Sequence, residues 1–533
     1  MKKLIFPLLL LALSFFCSAQ QQQYCRVKIY TGPGGLQTLI HKGVAIDHGY
    51  NDNNKTFITE ISLKESAILK SSGLKYDVLI NDMAAYYVAG NAKAVFDDGS
   101  QVVQVDCGTY PKPKNFSSGS MGGYYTYSEL LAILDSMTKK FPKLISAKKI
   151  VSANYTTTEG RPLYYVKISD NPAKTENEPK ILYTALHHAR EPESMAQLIY
   201  FMWYLLENYK KDTTVRNIVD STEMYFIPCV NPDGYVYNET TNPNGGGYWR
   251  KNRRNNNDGS YGVDLNRNYG YEWGYDDMGS SPYTSSDTYR GPSAFSEPET
   301  KMIKEFCDNI KFTYALNNHS YGNYLIYPYG YGTKTYTPDS ILYKQQANRL
   351  VQCNEFTKGT TIQTVGYTAN GGSDDWMYGE QTEKSKIIAY TAETGTAYDG
   401  FWPKKSKIIP LAAANLDMNL NLALLTKQSV YARSKIASST NAMQPTIAAG
   451  TLYNSPNPCN NFTRVYFNLP QQLQMANAML IISNAGGQPV LSQKVAGESN
   501  AFVNTTAFTA GIYYYFIKAG SYQSETKKLI VVK

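Results

Sequence analysis

The chain has 533 residues, 42% of them hydrophobic and 18% charged, with a formal net charge of +8. At roughly 100–200 residues per domain, that length means several units with ample apolar surface for their cores. The positive charge is spread thinly, with no basic stripe interleaved with aromatics, so nucleic acid is excluded as a partner.

The first residues, 1–19, read as a secretory signal peptide. Lys2 and Lys3 open it, Leu4 to Phe16 form a short apolar run, and Cys17-Ser18-Ala19 offers a small-residue cleavage site. That run is too short to span a bilayer and no later stretch approaches the needed length, so no transmembrane segment is expected. Residues 24–92 carry the runs RVKIY, GLQTLIHKG, TFITEIS, LKESAILKSSG and YDVLI. Their β-α-β-β-α-β rhythm predicts a small α+β, ferredoxin-like N-terminal module. Residues 93–121 hold most of the turn-rich run PKPKNFSSGSMGG and are expected to be a linker open to proteases at Lys112 or Lys114.

Residues 122–434 alternate helical patterns such as ESMAQLIYFMWYLLENY with short apolar runs such as KILYTAL, MYFIPCV, FTYALNN and KIIAYTA. Strands alternating with helices predict an α/β domain, a mixed and mostly parallel sheet flanked by helices. A polar linker at 435–450 comes next. Residues 451–533 then carry short alternating strands, RVYFNL, AMLIIS, GIYYYFIKA and KKLIVVK, parted by Gly, Asn and Pro, which predict a C-terminal all-β sandwich.

Six cysteines remain after Cys17, with no CxxC pair and hence no cysteine zinc site. An exported setting permits disulfides, and Cys307–Cys353 or Cys25–Cys107 are candidate pairs. Cys229, inside the apolar run Tyr225–Val230, reads as a buried small hydrophobe.

The chain has five histidines, His41, His48, His187, His188 and His319. KILYTAL runs straight into His187 and His188, FTYALNN into His319, and KIIAYTA ends in Glu393. Ligands of open α/β sheets sit beyond the carboxyl ends of strands, so these residues are expected at one edge. His188 and Glu191 form an HxxE pair; with His319 they make two imidazoles and one carboxylate, a ligand set for catalytic zinc. His187 shares the neighbourhood, but only His188 has a carboxylate three residues on.

The surrounding motifs run His188-Ala189-Arg190-Glu191, Asn231-Pro232-Asp233-Gly234-Tyr235 and Trp249-Arg250-Lys251-Asn252-Arg253. Next in the chain stand Gly262-Val263-Asp264-Leu265-Asn266-Arg267-Asn268, His319-Ser320-Tyr321, and Tyr367 with Gly371-Gly372-Ser373-Asp374-Asp375-Trp376. In this order they resemble the zinc carboxypeptidase family of the carboxypeptidase A and B type across the whole α/β segment. The resemblance implies one Zn2+ on His188, Glu191 and His319, with Asp264 orienting a ligand imidazole. It also implies Glu393 as general base and Arg250 as the oxyanion-stabilising side chain. Asn266 and Arg267 match the clamp for a free terminal carboxylate. Tyr367 matches the tyrosine that closes over substrate, and Arg190 a subsite further from the cut. Asp374 takes the position at the floor of the pocket for the terminal side chain, where an acid favours Lys or Arg ends with broader tolerance open.

The implied activity is hydrolysis of the last peptide bond of peptides and proteins. The alternative within this wider family is a zinc amidase acting on peptidoglycan stem peptides or γ-glutamyl links. The N-terminal module resembles, in rhythm and position, the activation segment of procarboxypeptidases; the other reading is an accessory domain that stays attached. The C-terminal module resembles the sorting domain of type IX secretion substrates, through Ser455-Pro456-Asn457-Pro458, Asn484-Ala485-Gly486-Gly487 and the final KKLIVVK. It implies the type IX machinery as a partner and an extracellular or outer-surface location.

Overall fold

The computed structural model describes residues 23–438 and 452–532, leaving aside short stretches, chiefly 94–101, 106–107, 468–477 and 496–499. The signal peptide at 1–19 lies outside the described residues. The chain divides into two compact units, one taking in the N-terminal module and most of the α/β segment, the other Pro338–Gln345 with Tyr431–Lys533 and its C-terminal strands.

The N-terminal module comprises β1 (Tyr24–Ile29), α1 (Gly35–His41), β2 (Tyr50–Asp52), β3 (Thr56–Ser62), α2 (Leu63–Ser71), β4 (Tyr76–Ile80) and α3 (Met83–Lys93). Its antiparallel sheet has the order β2-β3-β1-β4. Ser62 turns β3 directly into α2: its hydroxyl accepts the Glu65 N–H, and the Glu65 carboxylate accepts the Ser62 N–H at 2.9 Å. The helix α3 extends the β-α-β-β-α-β rhythm by one element.

The segment expected to be an open linker is structured instead. It forms a hairpin of β5 (Val102–Val105) and β6 (Gly108–Pro111). Lys112 is buried. The Glu207 carboxylate accepts the N–H groups of Lys114 at 2.7 Å and Asn115 at 2.9 Å, which fastens the chain to the α/β segment. Turn-forming residues forecast exposure, but a surface acid captures their free N–H groups. Only Lys114 of the two lysines is exposed.

The α/β segment runs α4 (Tyr127–Lys140), β7 (Lys149–Ile150), β8 (Tyr164–Ile168), β9 (Lys180–Ala185), α5 (Pro192–Asn208), α6 (Thr213–Val219), β10 (Glu223–Ile227) and α7 (Pro232–Thr241). It continues with α8 (Pro298–Asn309), β11 (Tyr314–His319), β12 (Tyr324–Ile326), α9 (Ser340–Leu350), β13 (Thr357–Gly359), α10 (Thr361–Thr364), α11 (Ser373–Gly379), β14 (Ile388–Glu393), α12 (Ile408–Ala414) and α13 (Leu416–Ser438). The sheet order is β13-β12-β14-β11-β9-β10-β8-β7. Its centre, β10, β9, β11 and β14, is parallel throughout, and antiparallel pairings flank it. These central strands are buried on both faces because helices cover both. Leu182, Ile227, Phe306, Trp376 and Ala389 form the core on the α8 and α11 side. The apolar α5 is buried almost along its whole length.

Three expectations differ from the structure. Cys353 is in a disulfide, whereas Cys25 and Cys307 are free thiols, so neither candidate pair forms; pairing depends on distant chain proximity that spacing does not encode. Also, Lys405–Gln428 is a helical stretch long and apolar enough to pass as a membrane span by composition. Of its most apolar window 61% is buried inside the protein, the burial of a core helix. The last helix, α13, runs on to Ser438, past the boundary expected at 434.

The C-terminal unit holds β15 (Leu452–Ser455), β16 (Phe462–Phe467), β17 (Ala478–Asn484), β18 (Pro489–Lys494), β19 (Asn500–Asn504), β20 (Gly511–Ala519), β21 (Tyr522–Gln523) and β22 (Lys527–Val531). One sheet has the order β15-β16-β19; in the other β18-β17-β20-β21 form a row and β22 pairs with β20. Along β20, Tyr513, Tyr515, Ile517 and Ala519 are buried, whereas Ile512 and Tyr514 are exposed. That alternation makes a one-sided sheet, and Val465, Leu480 and Val531 complete its core.

Limited trypsin digestion should therefore cut only slowly after Lys114, the exposed lysine of the two; Lys112 precedes Pro113 and resists trypsin on that ground alone. Replacing Glu207 by Ala should speed that cut by freeing the two N–H groups. Mass spectrometry of the fragments over time checks both; a cut after Lys114 that is equally fast in wild type and Glu207→Ala contradicts the anchored linker.

Candidate active site

At the carboxyl edge of the parallel strands, β9 ends at Ala185 and Leu186 adopts φ 55°, the left-handed region. A non-glycine residue there costs on the order of 1–3 kcal/mol. The surroundings hold it: Leu186 donates its N–H to Ser194 Oγ at 3.2 Å, and its carbonyl accepts the Asn231 N–H at 3.0 Å. This turn carries His187 and His188 off the sheet edge. Glu191 then ends the loop as the residue before α5, whose first helical position is Pro192. His319 is the last residue of β11 and pairs in parallel register with Glu393, the last residue of β14.

These elements bring His188, Glu191 and His319 together. Nδ1 of His188 lies 2.7 Å from Glu191 Oε1, and Nδ1 of His319 lies 2.9 Å from Glu191 Oε2. The two Nδ1 atoms are 3.1 Å apart. All three residues are buried. Burial alone would raise the Glu191 pKa, but the imidazoles of His188 and His319 overcome it and hold the carboxylate well below its usual range. Two ring nitrogens and a carboxylate facing one point match the nitrogen and oxygen donor set of zinc. The described residues contain one other close group of this kind, Asp170, Glu176 and Glu178, made only of partly exposed carboxylates.

Behind the triad, His188 Nε2 faces Asp264 Oδ1 at 3.2 Å. Asp264 caps the 3-10 turn Leu265–Arg267, accepting the Asn266 N–H at 3.0 Å. Its other oxygen accepts from Arg250 Nε at 3.1 Å and Nη2 at 2.8 Å. Against burial, Arg250, His188 and Arg267 keep Asp264 ionised far below the usual carboxylate pKa. Glu393 is the opposite case. Burial and then the charge of Glu191 push its pKa well up, opposed by the guanidinium groups of Arg250 and Arg267.

The cleft beside these groups is lined by every expected substrate-binding residue except Arg190: Asn266, Arg267, Tyr367 and Asp374, together with Arg250 and Glu393. Asn266 Oδ1 accepts the Ser373 N–H at 2.9 Å, and Arg267 Nη1 donates to the Asn266 carbonyl at 2.7 Å. The buried Arg267 Nε has no partner among the described residues. Gly371 sits at φ 67°, and a Cβ there would come within 2.4 Å of the Arg267 carbonyl, so only glycine permits this approach. Asp374 is half-buried, its pKa raised by desolvation. The adjacent Asp375 is turned away and accepts the Gly330 N–H at 2.9 Å.

Arg190 stands outside that cleft and faces the N-terminal module. Its Nη2 donates to Asp47 at 2.6 Å, its Nη1 donates to Asp287 at 3.3 Å, and its guanidinium lies 4.2 Å from the Phe401 ring centroid. Asp47 was not among the expected site residues, and a lone acid in an irregular loop gives no pattern to find it by. Its Oδ2 also lies 3.2 Å from Arg250 Nη1. Against burial, Arg250, Arg190 and His48 hold Asp47 well below its ordinary pKa. Val44 and Ile46 of the same loop pack in one cluster with Ile326, Val365 and Tyr367 of the cleft wall. The cleft that remains has a volume of about 50 Å³, room for a few waters.

The zinc carboxypeptidase family profile matches residues 130–418, and the secretion system C-terminal sorting domain profile matches residues 453–532. Carboxypeptidase A4 of Mus musculus is 32% identical over 359 residues, 66% of this chain and 78% of that one. Carboxypeptidase A1 of Bos taurus is 30% identical over 351 residues, 64% of this chain and 77% of that one. Among solved structures, the carboxypeptidase A from Helicoverpa armigera gives a TM-score of 0.60 at 22% identity, covering 77% of this chain and 98% of that one. Thrombin activatable fibrinolysis inhibitor gives 0.59 at 22% identity, covering 76% of this chain and 99% of that one. These two likenesses show the fold, and they take in more of the chain than the α/β segment occupies. Profile, relatives and the donor set on the strand edge agree: the chain belongs to the zinc carboxypeptidase family, a metallopeptidase hydrolase exported with a type IX sorting domain at its C-terminus.

Proposed function

We propose that the protein removes single residues from the C-terminal ends of peptides and proteins, preferring Lys and Arg ends, with one zinc ion held by His188, Glu191 and His319. The observation that carries this reading is the set of three donors mutually within 3.1 Å, with Glu393 paired beside His319 on the next strand.

Zinc, when bound, supplies Lewis acidity toward the scissile carbonyl and the attacking water. Glu393 takes the proton of that water and passes it to the leaving amine. For this it must be ionised, and a cation beside it favours the charged form against the burial that otherwise raises its pKa. Arg250, oriented by its two bonds to Asp264, faces the developing oxyanion. Arg267 has an unpartnered Nε to offer a terminal carboxylate, with Asn266 beside it. Tyr367 closes the cleft from the side of the N-terminal module. The preference for basic ends rests on Asp374: burying its carboxylate without a cation is costly, and a Lys or Arg side chain supplies the missing charge.

The N-terminal module, in this reading, blocks the enzyme until it is removed. Its Asp47 carboxylate engages the oxyanion arginine Arg250 and the subsite arginine Arg190, where substrate is to sit. The C-terminal unit is read as the part recognised by the type IX machinery.

Glu393→Gln should lower turnover of a hippuryl-arginine substrate by about 10²–10⁴-fold while zinc content measured by mass spectrometry stays stoichiometric. Undiminished turnover overturns the assignment. Asp374→Ala, assayed on peptides ending in Arg, Lys, Leu or Phe, should lose at least about tenfold on the basic ends alone; equal loss on all four refutes the pocket reading.

The blocking role predicts a pH dependence of module binding. The depressed pKa of Asp47 means its contact is at full strength above the ordinary aspartate value of about 3.9 and weakens as pH falls below it. After cleavage of the linker and reduction of the Cys353 disulfide, gel filtration should show the module separating more readily at pH 3.5 than at pH 6. Asp47→Asn should raise the activity of the uncut chain by at least about tenfold. An uncut wild-type chain as active as the cut one removes the proposal.

A further inference from the structure

One buried group near the triad takes no part in the chemistry above. His187 lies fully inside, beside His188 in sequence, and its ring packs against that of His319. The two rings are stacked, with centroids 5.4 Å apart and planes within 20°. Nε2 of His187 is hydrogen-bonded to the Tyr269 hydroxyl at 2.8 Å. Its Nδ1 is buried without a partner among the described residues. An apolar side chain would fill the same space without leaving a buried nitrogen unpaired, so packing alone does not account for an imidazole there.

Tyr269 is equally fixed. It is fully buried, its ring lies 5.5 Å from Trp376 and 5.9 Å from Phe295, and its N–H donates to the Gly371 carbonyl at 3.0 Å. It stands two residues after Arg267, on the loop that carries the carboxylate clamp. A single hydrogen bond therefore joins the ring stacked on His319 to the loop that holds Arg267 and to the glycine at the edge of the pocket. His319 itself depends on this support, because its Nε2 has no partner among the described residues. An imidazole ligand whose second nitrogen is free is oriented only by what packs on its faces.

We propose that His187 and Tyr269 act as a positioning pair, which fixes the ring plane of His319 through the stack and ties that plane to the clamp loop through the hydrogen bond. Neither residue is a ligand or touches substrate. The inference rests on the reading of His188, Glu191 and His319 as a zinc site.

The test compares wild type, His187→Leu, Tyr269→Phe and the double variant, each as the full chain freed of metal and titrated with zinc against a chromogenic chelator. The melting temperature of each metal-free form is measured alongside. Tyr269→Phe keeps the ring and loses only the bond, so it covers the case in which His187→Leu fails to fold. The expected result is a zinc affinity about 10–100-fold weaker in each single variant. The double variant should be no weaker than the weaker single one, because both changes break one connection. Melting temperatures of the metal-free forms should stay close to wild type for Tyr269→Phe. The visible spectrum of the cobalt-substituted form should shift in both variants, since it reports the ligand arrangement. Unchanged zinc affinity in both single variants, with wild type binding normally, overturns the positioning role. So does a loss of affinity matched by an equal loss of metal-free stability in Tyr269→Phe. A wild-type chain that binds no zinc overturns the site reading itself, which distinguishes that failure from this one.

Discussion

The Glu191 carboxylate buried between two imidazoles sets the terms for the polar groups around it. A buried charge is tolerated only when its neighbours compensate it, and here the compensation is passed outward from group to group. His188 satisfies Glu191 and in turn faces Asp264; Asp264 is satisfied by Arg250; Arg250 is left with one nitrogen directed to Asp47 of the N-terminal module. The series hands polar partners on from the centre of the site to the module that covers it. A change at any member leaves a neighbour exposed to the full cost of burial. That is why the geometry of the site and the docking of the module belong to one electrostatic problem.

Much of this is written locally in the sequence. The runs KILYTAL, FTYALNN and KIIAYTA end at the residues that matter, because a strand of a parallel sheet delivers the residues after it to the ligand-binding edge. HxxE fixes Glu191 three residues from His188, across a turn closed by the Glu191 N–H donating to the His188 carbonyl, so those two needed no tertiary information. His319 and Glu393 did: their pairing arises from β11 lying beside β14, a neighbour relation between strands far apart in sequence. The alternating pattern of the C-terminal strands was equally legible, since period two directly encodes which face is buried.

The features hidden from the sequence were hidden for physical reasons. Asp47 lies in a loop without period, and its role is created by two arginines of another part of the fold. The direction of His187 depends on Leu186 adopting a left-handed conformation that leucine rarely takes, so no residue preference announces it. Lys112 sits among turn formers, yet the neighbouring backbone is captured by Glu207 on α5. Cysteine pairing failed for the same reason as Asp47: it records which distant segments meet, and spacing alone does not.

The anchored linker has a bearing on when such an enzyme would switch on. A covering module held by a short tether competes with substrate at an effective concentration in the millimolar range, whatever the intrinsic strength of its contacts. Severing the chain after Lys114, with the disulfide of Cys353 reduced, would end that advantage without breaking any contact at Asp47. Onset of activity would then be governed by dilution: slow where the cut molecules are crowded together, fast where they disperse into a large volume. An exported peptidase built this way would stay quiet in the confines it leaves and become active with distance from them.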